Sequence, residues 1–315
     1  MAILSSWKFG GAGDSDMQAG IFRILFILTI VFQAGAAWPN WLDYREEHAI
    51  APYGEVKGWR VYAGVRKPED AERLSAELGA SVYPVLCDVT DAGIIKSAAE
   101  QVQNDLQGQT LDGLVNNAGI AVAGPLLHLP PEEMTRQLDV NVTGQLRVTQ
   151  AFAPLMGARA DFDGQPGRIV NISSVAGFHA MPILTPYACS KFALEAFTEG
   201  LRRELMLYGI DVVAINPGPI KTPIWDKAQE LDPEQYGQTD FIKAIHRLLK
   251  FTLKSAKNGL PPVRVAQAVH AALTDAKPRL NTVVTPTPMQ SLMLKILPSR
   301  MADRMIAKQL GLLRR

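Results

Sequence analysis

Asn171 to Lys191 reads NISSVAGFHAMPILTPYACSK, and the rest of the chain falls into place around it. The preceding Gly167-Arg168-Ile169-Val170 leads in as a short apolar strand, with Ser173 and Ser174 at its carboxyl end. After a loop, Tyr187 and Lys191 open a long helical pattern. Four residues apart, they share one helical face. A phenol has a pKa of about 10, too high for proton exchange at neutral pH. A fixed ammonium beside it favours the phenolate and is expected to lower that value. Ser174 is placed to hold a carbonyl or alcohol oxygen next to the phenol. An acid/base pair with an oxygen clamp suits hydride transfer to or from a carbonyl carbon. Tyr-x-x-x-Lys alone is explained as well by the start of an amphipathic helix; the Ser-Ser strand end before it turns the reading toward chemistry.

Composition narrows the field. The chain has 315 residues, 47% of them apolar and 20% charged, which fits a globular protein with one large α/β domain or two small ones. The net charge of +1 gives no ground for a nucleic-acid partner, and no RNA-binding or zinc-finger pattern is present. Cys87 and Cys189 lie far apart in apolar or helical contexts and suit a reduced, cytoplasmic setting. The five histidines lack ligand spacing, so no metal site is expected.

Residues 1–57 are atypical. Residues 1–20 read as poorly ordered. The apolar run Ile21 to Phe32 contains Arg23 and is too short for a membrane span, which needs about 20 residues. With Ala34-Gly35-Ala36 after it, the run resembles a secretory signal, but Asp14 and Asp16 in the leader argue for a buried strand from Arg23 to Val31 instead. Asn40 is then placed to cap a helix through Glu46, Glu47 and His48. A dinucleotide fold calls for a glycine-rich turn after its first strand, so that backbone N–H groups can approach a pyrophosphate. Ile30 to Asn40, IVFQAGAAWPN, offers only Gly35. Genuine divergence and a frame or gene-start alteration joined to intact sequence near Gly58 both explain this.

From Arg60 onward strands and helices alternate. RVYAGV (Arg60 to Val65) is a strand, followed at once by Arg66 and Lys67. An acidic residue at this strand end reads a ribose 2′-hydroxyl and a basic one a 2′-phosphate. Val65 holds the acidic position, so Arg66 points to NADP ahead of NAD; a solvated basic turn is the plainer alternative. Asp88, after the strand Ser81 to Leu86, is placed to accept from an adenine amino group, and Asn117 and Gly119 follow the strand Leu111 to Val115. Pro131 to Phe152 is one helical pattern interrupted by Asn141 and Gly144, which suggests a local kink.

With these residues in view, the chain resembles the short-chain dehydrogenase/reductase family over Gly58 to Thr285. The matching motifs are NNAG (Asn116 to Gly119), LDVNVTG (Leu138 to Gly144), IVNISSVAG (Ile169 to Gly177), YACSK (Tyr187 to Lys191) and INPGPIKT (Ile215 to Thr222). The resemblance implies an α/β fold: a single Rossmann-type, doubly wound parallel sheet of about seven strands. It also implies a catalytic set of Asn141, Ser174, Tyr187 and Lys191. Ser174 is preferred to Ser173 because it stands thirteen residues before Tyr187, the usual family interval. Tyr is then the acid/base, Ser orients the substrate oxygen, Lys also binds the nicotinamide ribose, and Asn supports a helix kink and a water relay. Around the cofactor the resemblance places Arg66, Asp88, Asn117, Gly119 and Lys191, with Pro217, Gly218, Ile220 and Thr222 along the nicotinamide half. The Thr-Gly-x-x-x-Gly-x-Gly turn of the family has no counterpart.

The domain expected at 58–288 carries a substrate lid at about 223–262, where Ile224, Trp225, Phe241, Ile245 and Leu248 are placed to line an apolar cleft with Met181, Ile183 and Leu184. That suits a small lipophilic alcohol or carbonyl substrate, though core packing explains the same residues. Phe192 to Tyr208 has an apolar face and a charged face that carries Glu195, Glu199, Arg202 and Arg203; it suits either a homo-oligomer contact or an ordinary sheet-covering helix. The tail, 289–315, is basic and amphipathic: it fits peripheral contact with an anionic membrane or docking on the domain. The functional expectation is an NADP-linked oxidoreductase acting on a lipophilic alcohol and its ketone or aldehyde. Its rivals are a binding or scaffold protein without a usable pyrophosphate cradle and an unstable product of a disrupted gene.

Overall fold

A computed structural model describes residues 23–28, 58–78, 82–162, 164–221, 233–289 and 296–313. Seven strands form one sheet: β1 (Arg23–Leu28), β2 (Trp59–Val65), β3 (Val82–Leu86), β4 (Gly113–Asn116), β5 (Arg168–Ile172), β6 (Asp211–Pro217) and β7 (Asn281–Val284). Every pairing is parallel and the order is β3-β2-β1-β4-β5-β6-β7. The strand expected at Arg23 to Val31 thus stands at the centre of the sheet, as Arg23–Leu28. The chain winds outward one way from β1 to β3, then returns and winds the other way from β4 to β7. In such a sheet the crevice at the carboxyl ends of the two central strands is where ligands bind.

Parallel strands hide both faces, so their side chains are apolar on both. In β2, Val61, Ala63 and Val65 enter one core while Tyr62 enters the other; in β6, Val213 and Ile215 oppose Val212. Helices α1 (Pro68–Glu77) and α7 (Val263–Thr274) cover the first face through Leu74, Val265 and Val269. Helix α2 (Ala92–Leu106) covers the second through Ile95, Val102 and Leu106. Asp91 begins α2 because its side chain accepts from the Gly93 and Ile94 N–H groups, two donors that a helix start leaves unpaired.

The interrupted helix expected at Pro131 to Phe152 is α3 (Pro131–Leu138), a π-helical turn (Asp139–Thr143) and α4 (Gly144–Phe152). The wider turn lets Asn141 point into the domain, where it is fully buried. Gly144 is needed at its end: a Cβ there would lie 2.8 Å from the Val89 side chain. Helix α5 (Thr185–Leu205) crosses behind β5 and β6. Its residues Lys191, Leu194, Thr198 and Leu205 face inward.

A third cluster sits apart from the sheet. Helix α6 (Ile242–Lys257) buries Ala244, Ile245 and Leu248 against Ile183, Tyr236 and Leu310, with Met181, Leu184, Phe241, Ile306 and Leu312 around them. Leu310 and Ile306 belong to α8 (Ser299–Leu310), so the tail helix docks on α6. Ile245 and Leu248, for which an apolar cleft and ordinary core packing were both expected, are buried in this cluster. Among the described residues no helix is long and apolar enough to cross a membrane.

Candidate active site

The site lies at the carboxyl ends of β4, β5 and β6. β5 delivers Ser173 and Ser174 there, because Ile172 pairs with Ile215 and the Ser173 N–H continues the ladder to the Ile215 carbonyl at 2.8 Å. Ser174, extended at φ −167°, then caps a short 3-10 turn: its Oγ accepts from the Ala176 N–H at 3.1 Å and lies 3.5 Å from the Pro217 carbonyl. In the first turn of α5, the Tyr187 hydroxyl comes near the Ser174 side chain, close enough for Ser174 to draw its pKa down. Tyr187 as a whole is half-buried, and its hydroxyl is enclosed by protein. Lys191 is buried, donates to the Ile172 carbonyl at 2.9 Å, and holds its ammonium 5.7 Å from the centre of the Tyr187 ring.

The electrostatics correct one expectation. Burial pushes the Tyr187 hydroxyl above the ordinary phenol range, and the Ser174 hydrogen bond pulls only partly the other way. Burial also lowers Lys191 from its ordinary 10.5 to about 8, with the Glu195 carboxylate opposing the drop. Both groups are driven toward neutrality, because desolvation outweighs the attraction that spacing alone suggests.

Asn141 ties three elements together. Its Oδ1 accepts from the Ile120 N–H at 2.8 Å; its Nδ2 donates to the Ile120 carbonyl and to Ser190 Oγ, both at 3.0 Å. Ser190 in turn donates to the Tyr187 carbonyl at 2.7 Å. The π-helical turn, the loop after β4 and the first turns of α5 are therefore tied together. Below them the wholly buried Asn116 donates to Thr149 at 3.1 Å and to Asn171 at 2.9 Å, and Asn171 donates to Thr198 at 2.9 Å.

Ile183, four residues before Tyr187, is 4% exposed and has φ +73°, a conformation strained for a β-branched side chain. Its carbonyl accepts from the Gly124 N–H at 2.8 Å, which links the loop before Tyr187 to the loop after β4.

The expected cofactor residues stand around the switch between β1 and β4. Arg66 is exposed just past β2, Asn117 and Gly119 follow β4, and a Cβ on Gly119 would press on Asn141 Oδ1 at 3.3 Å. Asp88 follows β3, with Oδ1 held by the Thr90 N–H at 2.9 Å and the Thr90 hydroxyl at 2.6 Å. Pro217 ends β6, and Gly218 donates to the Val284 carbonyl at 2.8 Å. The Ile220 side chain is buried in the sheet core. Thr222, Ile224 and Trp225 fall outside the described residues, as do the 30–40 stretch and the helix expected near Glu46. The set fits a nicotinamide dinucleotide: hydroxyls and an ammonium at one end of a sheet crevice, a guanidinium at the other, and a glycine where backbone must be approached closely.

Sequence reasoning missed Glu195, Asn216 and Ser190. Glu195 was placed on the charged outer face of its helix, yet its carboxylate turns inward to Asn216 and Asn281. Its spacing carried the signal: it stands four residues after Lys191 and eight after Tyr187, on their side of the helix.

The model of the short chain dehydrogenase family matches residues 48–232, more than half of the chain. The chain belongs to the short-chain dehydrogenases. An NADPH-dependent 3-dehydrocapnine reductase of Ornithobacterium rhinotracheale is 39% identical over 259 residues, 81% of this chain and 90% of that one. The 17-beta-hydroxysteroid dehydrogenase type 6 of Bos taurus is 34% identical over 239 residues, 71% of this chain and 72% of that one. Among solved structures, a short-chain dehydrogenase from Streptomyces avermitilis superposes with a TM-score of 0.67 at 23% identity, covering 92% of this chain and 97% of that one, a likeness of fold. This short-chain dehydrogenase is accordingly an NAD(P)-dependent oxidoreductase with a small-molecule substrate.

Proposed function

We propose that the protein is an NADP-linked carbonyl reductase or alcohol dehydrogenase for a lipophilic substrate, with Tyr187 as the acid/base. The contact of the Tyr187 and Ser174 hydroxyls beside a buried lysine carries this reading. Two hydroxyls that share one oxygen can bind it from two sides. Bound nicotinamide supplies or takes the hydride at the carbonyl carbon. Ser174 donates a hydrogen bond to the substrate oxygen and orients it. In reduction Tyr187 gives its proton to that oxygen as the carbonyl becomes an alkoxide, and Lys191 offsets the phenolate left behind. A phenol raised above its ordinary range keeps its proton until the hydride arrives, as the acid in reduction must. Asn141 holds the Tyr187 turn in register through Ser190.

Arg66 after β2 and the NADPH dependence of the Ornithobacterium relative support the phosphorylated cofactor. Lipophilic substrates are supported by the half-buried Met181, Leu184 and Phe241 at the lid and by the steroid named for the bovine relative.

The test has two parts. Fluorescence titration with NADPH is expected to show about micromolar binding, tighter than for NADH. NADPH oxidation is then followed with decanal, 2-decanone, a 17-ketosteroid and all-trans-retinal. Turnover of at least one is expected, and loss of it in Tyr187→Phe. No NADPH binding, or undiminished turnover in Tyr187→Phe, refutes the reading.

A further inference from the structure

Helix α5 carries a third functional group on the face of Tyr187 and Lys191. Glu195 Oε1 accepts from Asn216 Nδ2 at 2.5 Å, and Oε2 accepts from Asn281 Nδ2 at 2.9 Å. Asn216 is wholly buried in β6, and the same Nδ2 also donates to the Ser174 backbone carbonyl at 3.3 Å. One amide group therefore joins a carboxylate on α5 to the backbone of the residue that presents the substrate-facing hydroxyl. Asn281 opens β7, so the carboxylate also gathers the ends of two neighbouring strands.

We propose that Glu195 is a positioning residue for the reaction: through Asn216 its carboxylate sets the Ser174 backbone against Tyr187, and its charge sustains the Lys191 ammonium one turn away. The inference rests on the roles given above to Ser174, Tyr187 and Lys191. Lys191 meets Tyr187 on its own helix and the uncharged Ile172 carbonyl on β5, so among the described residues the charge that opposes its desolvation is that of Glu195. Remove the charge and Lys191 loses its proton at lower pH. Shorten the side chain and the charge stays while the reach to the asparagines is lost.

Glu195→Gln and Glu195→Asp are compared with wild type by NADPH oxidation with decanal, or with the best of the four carbonyls above, from about pH 6 to 10. In Glu195→Gln the alkaline limb of kcat/KM is expected to move down by about half a pH unit or more. In Glu195→Asp the limb is expected to stay while kcat falls. A limb unmoved in Glu195→Gln overturns the proposal whatever the rate, since a mere structural pin lowers activity at every pH alike. Thermal melts accompany each variant. If Glu195→Gln does not fold, Asn216→Ala takes its place: it keeps the charge and cuts the link, so kcat should fall with the limb in place, and an unchanged kcat overturns the proposal. Tyr187→Phe runs in parallel; if it turns over like wild type, the failure lies with the assignment of the acid/base and not with Glu195.

Discussion

Replacing Lys191 by methionine should make the cofactor-free protein more stable while it destroys activity. Lys191 is 4% exposed, and burial lowers its pKa from 10.5 to about 8. At neutral pH the ammonium is charged in both folded and unfolded chains, and the folded chain carries a desolvation cost of about 3 kcal/mol for it. Methionine has a similar length and no charge. It forfeits the bond to the Ile172 carbonyl, which returns about 1 kcal/mol of the gain. The net expectation is about 2 kcal/mol, a rise in Tm of a few degrees. The pH dependence fixes the cause. Between pH 8 and 10.5 the unfolded chain holds the Lys191 proton and the folded chain releases it, so this group's contribution to stability rises with pH. The advantage of Lys191→Met should therefore be full below pH 8 and fade above it. Cys87, pushed by burial from 9.0 to about 12, has the opposite slope above pH 9, but it is common to both proteins and drops out of the difference. Calorimetric melts of the two proteins at several pH values give the answer. A Lys191→Met protein that melts below wild type at neutral pH, or a difference that does not change with pH, refutes the desolvation argument.

Tyr187→Phe should lower kcat by about 100-fold or more with NADPH affinity retained, read by initial rates and fluorescence titration. Arg66→Ala should weaken NADPH about 10- to 100-fold and leave NADH unchanged, since a single charge-assisted contact is removed. Phe152→Ala empties a wholly buried site between α4 and the sheet and should cost about 3–5 kcal/mol in urea unfolding. Asn141→Ala leaves the Ile120 N–H without its partner, while the Ile120 carbonyl keeps the Gln137 amide at 2.9 Å; a loss of about 1–3 kcal/mol and a larger drop in kcat than in stability are expected.

The fold was legible because parallel strands buried on both faces leave continuous apolar runs such as RVYAGV and RIVNI, and because Ser174, Tyr187 and Lys191 carry their geometry in their spacing. A break in the helix was legible from Asn141 and Gly144, two poor helix formers inside a helical pattern, but its form as a π-helical turn was not. The sign of the Tyr187 perturbation was not, since spacing reports a neighbour's charge but not how much water the fold removes. Glu195 was misread because a carboxylate beside Glu199 and Arg202 looks like solvated surface. The spacing from Lys191 gives the side of the helix on which it lies; its partners come only with the contact between residues 195, 216 and 281, where β6 and β7 meet α5.

The docking of α8 on α6 has a practical side. Leu310 and Leu312 reach the cluster that contains Ile183, and Ile183 stands four residues ahead of Tyr187. Anything joined to Arg315 begins within a few residues of Leu312 in sequence. Recombinant enzyme meant for kinetics should therefore carry its handle at the other terminus, away from this packing.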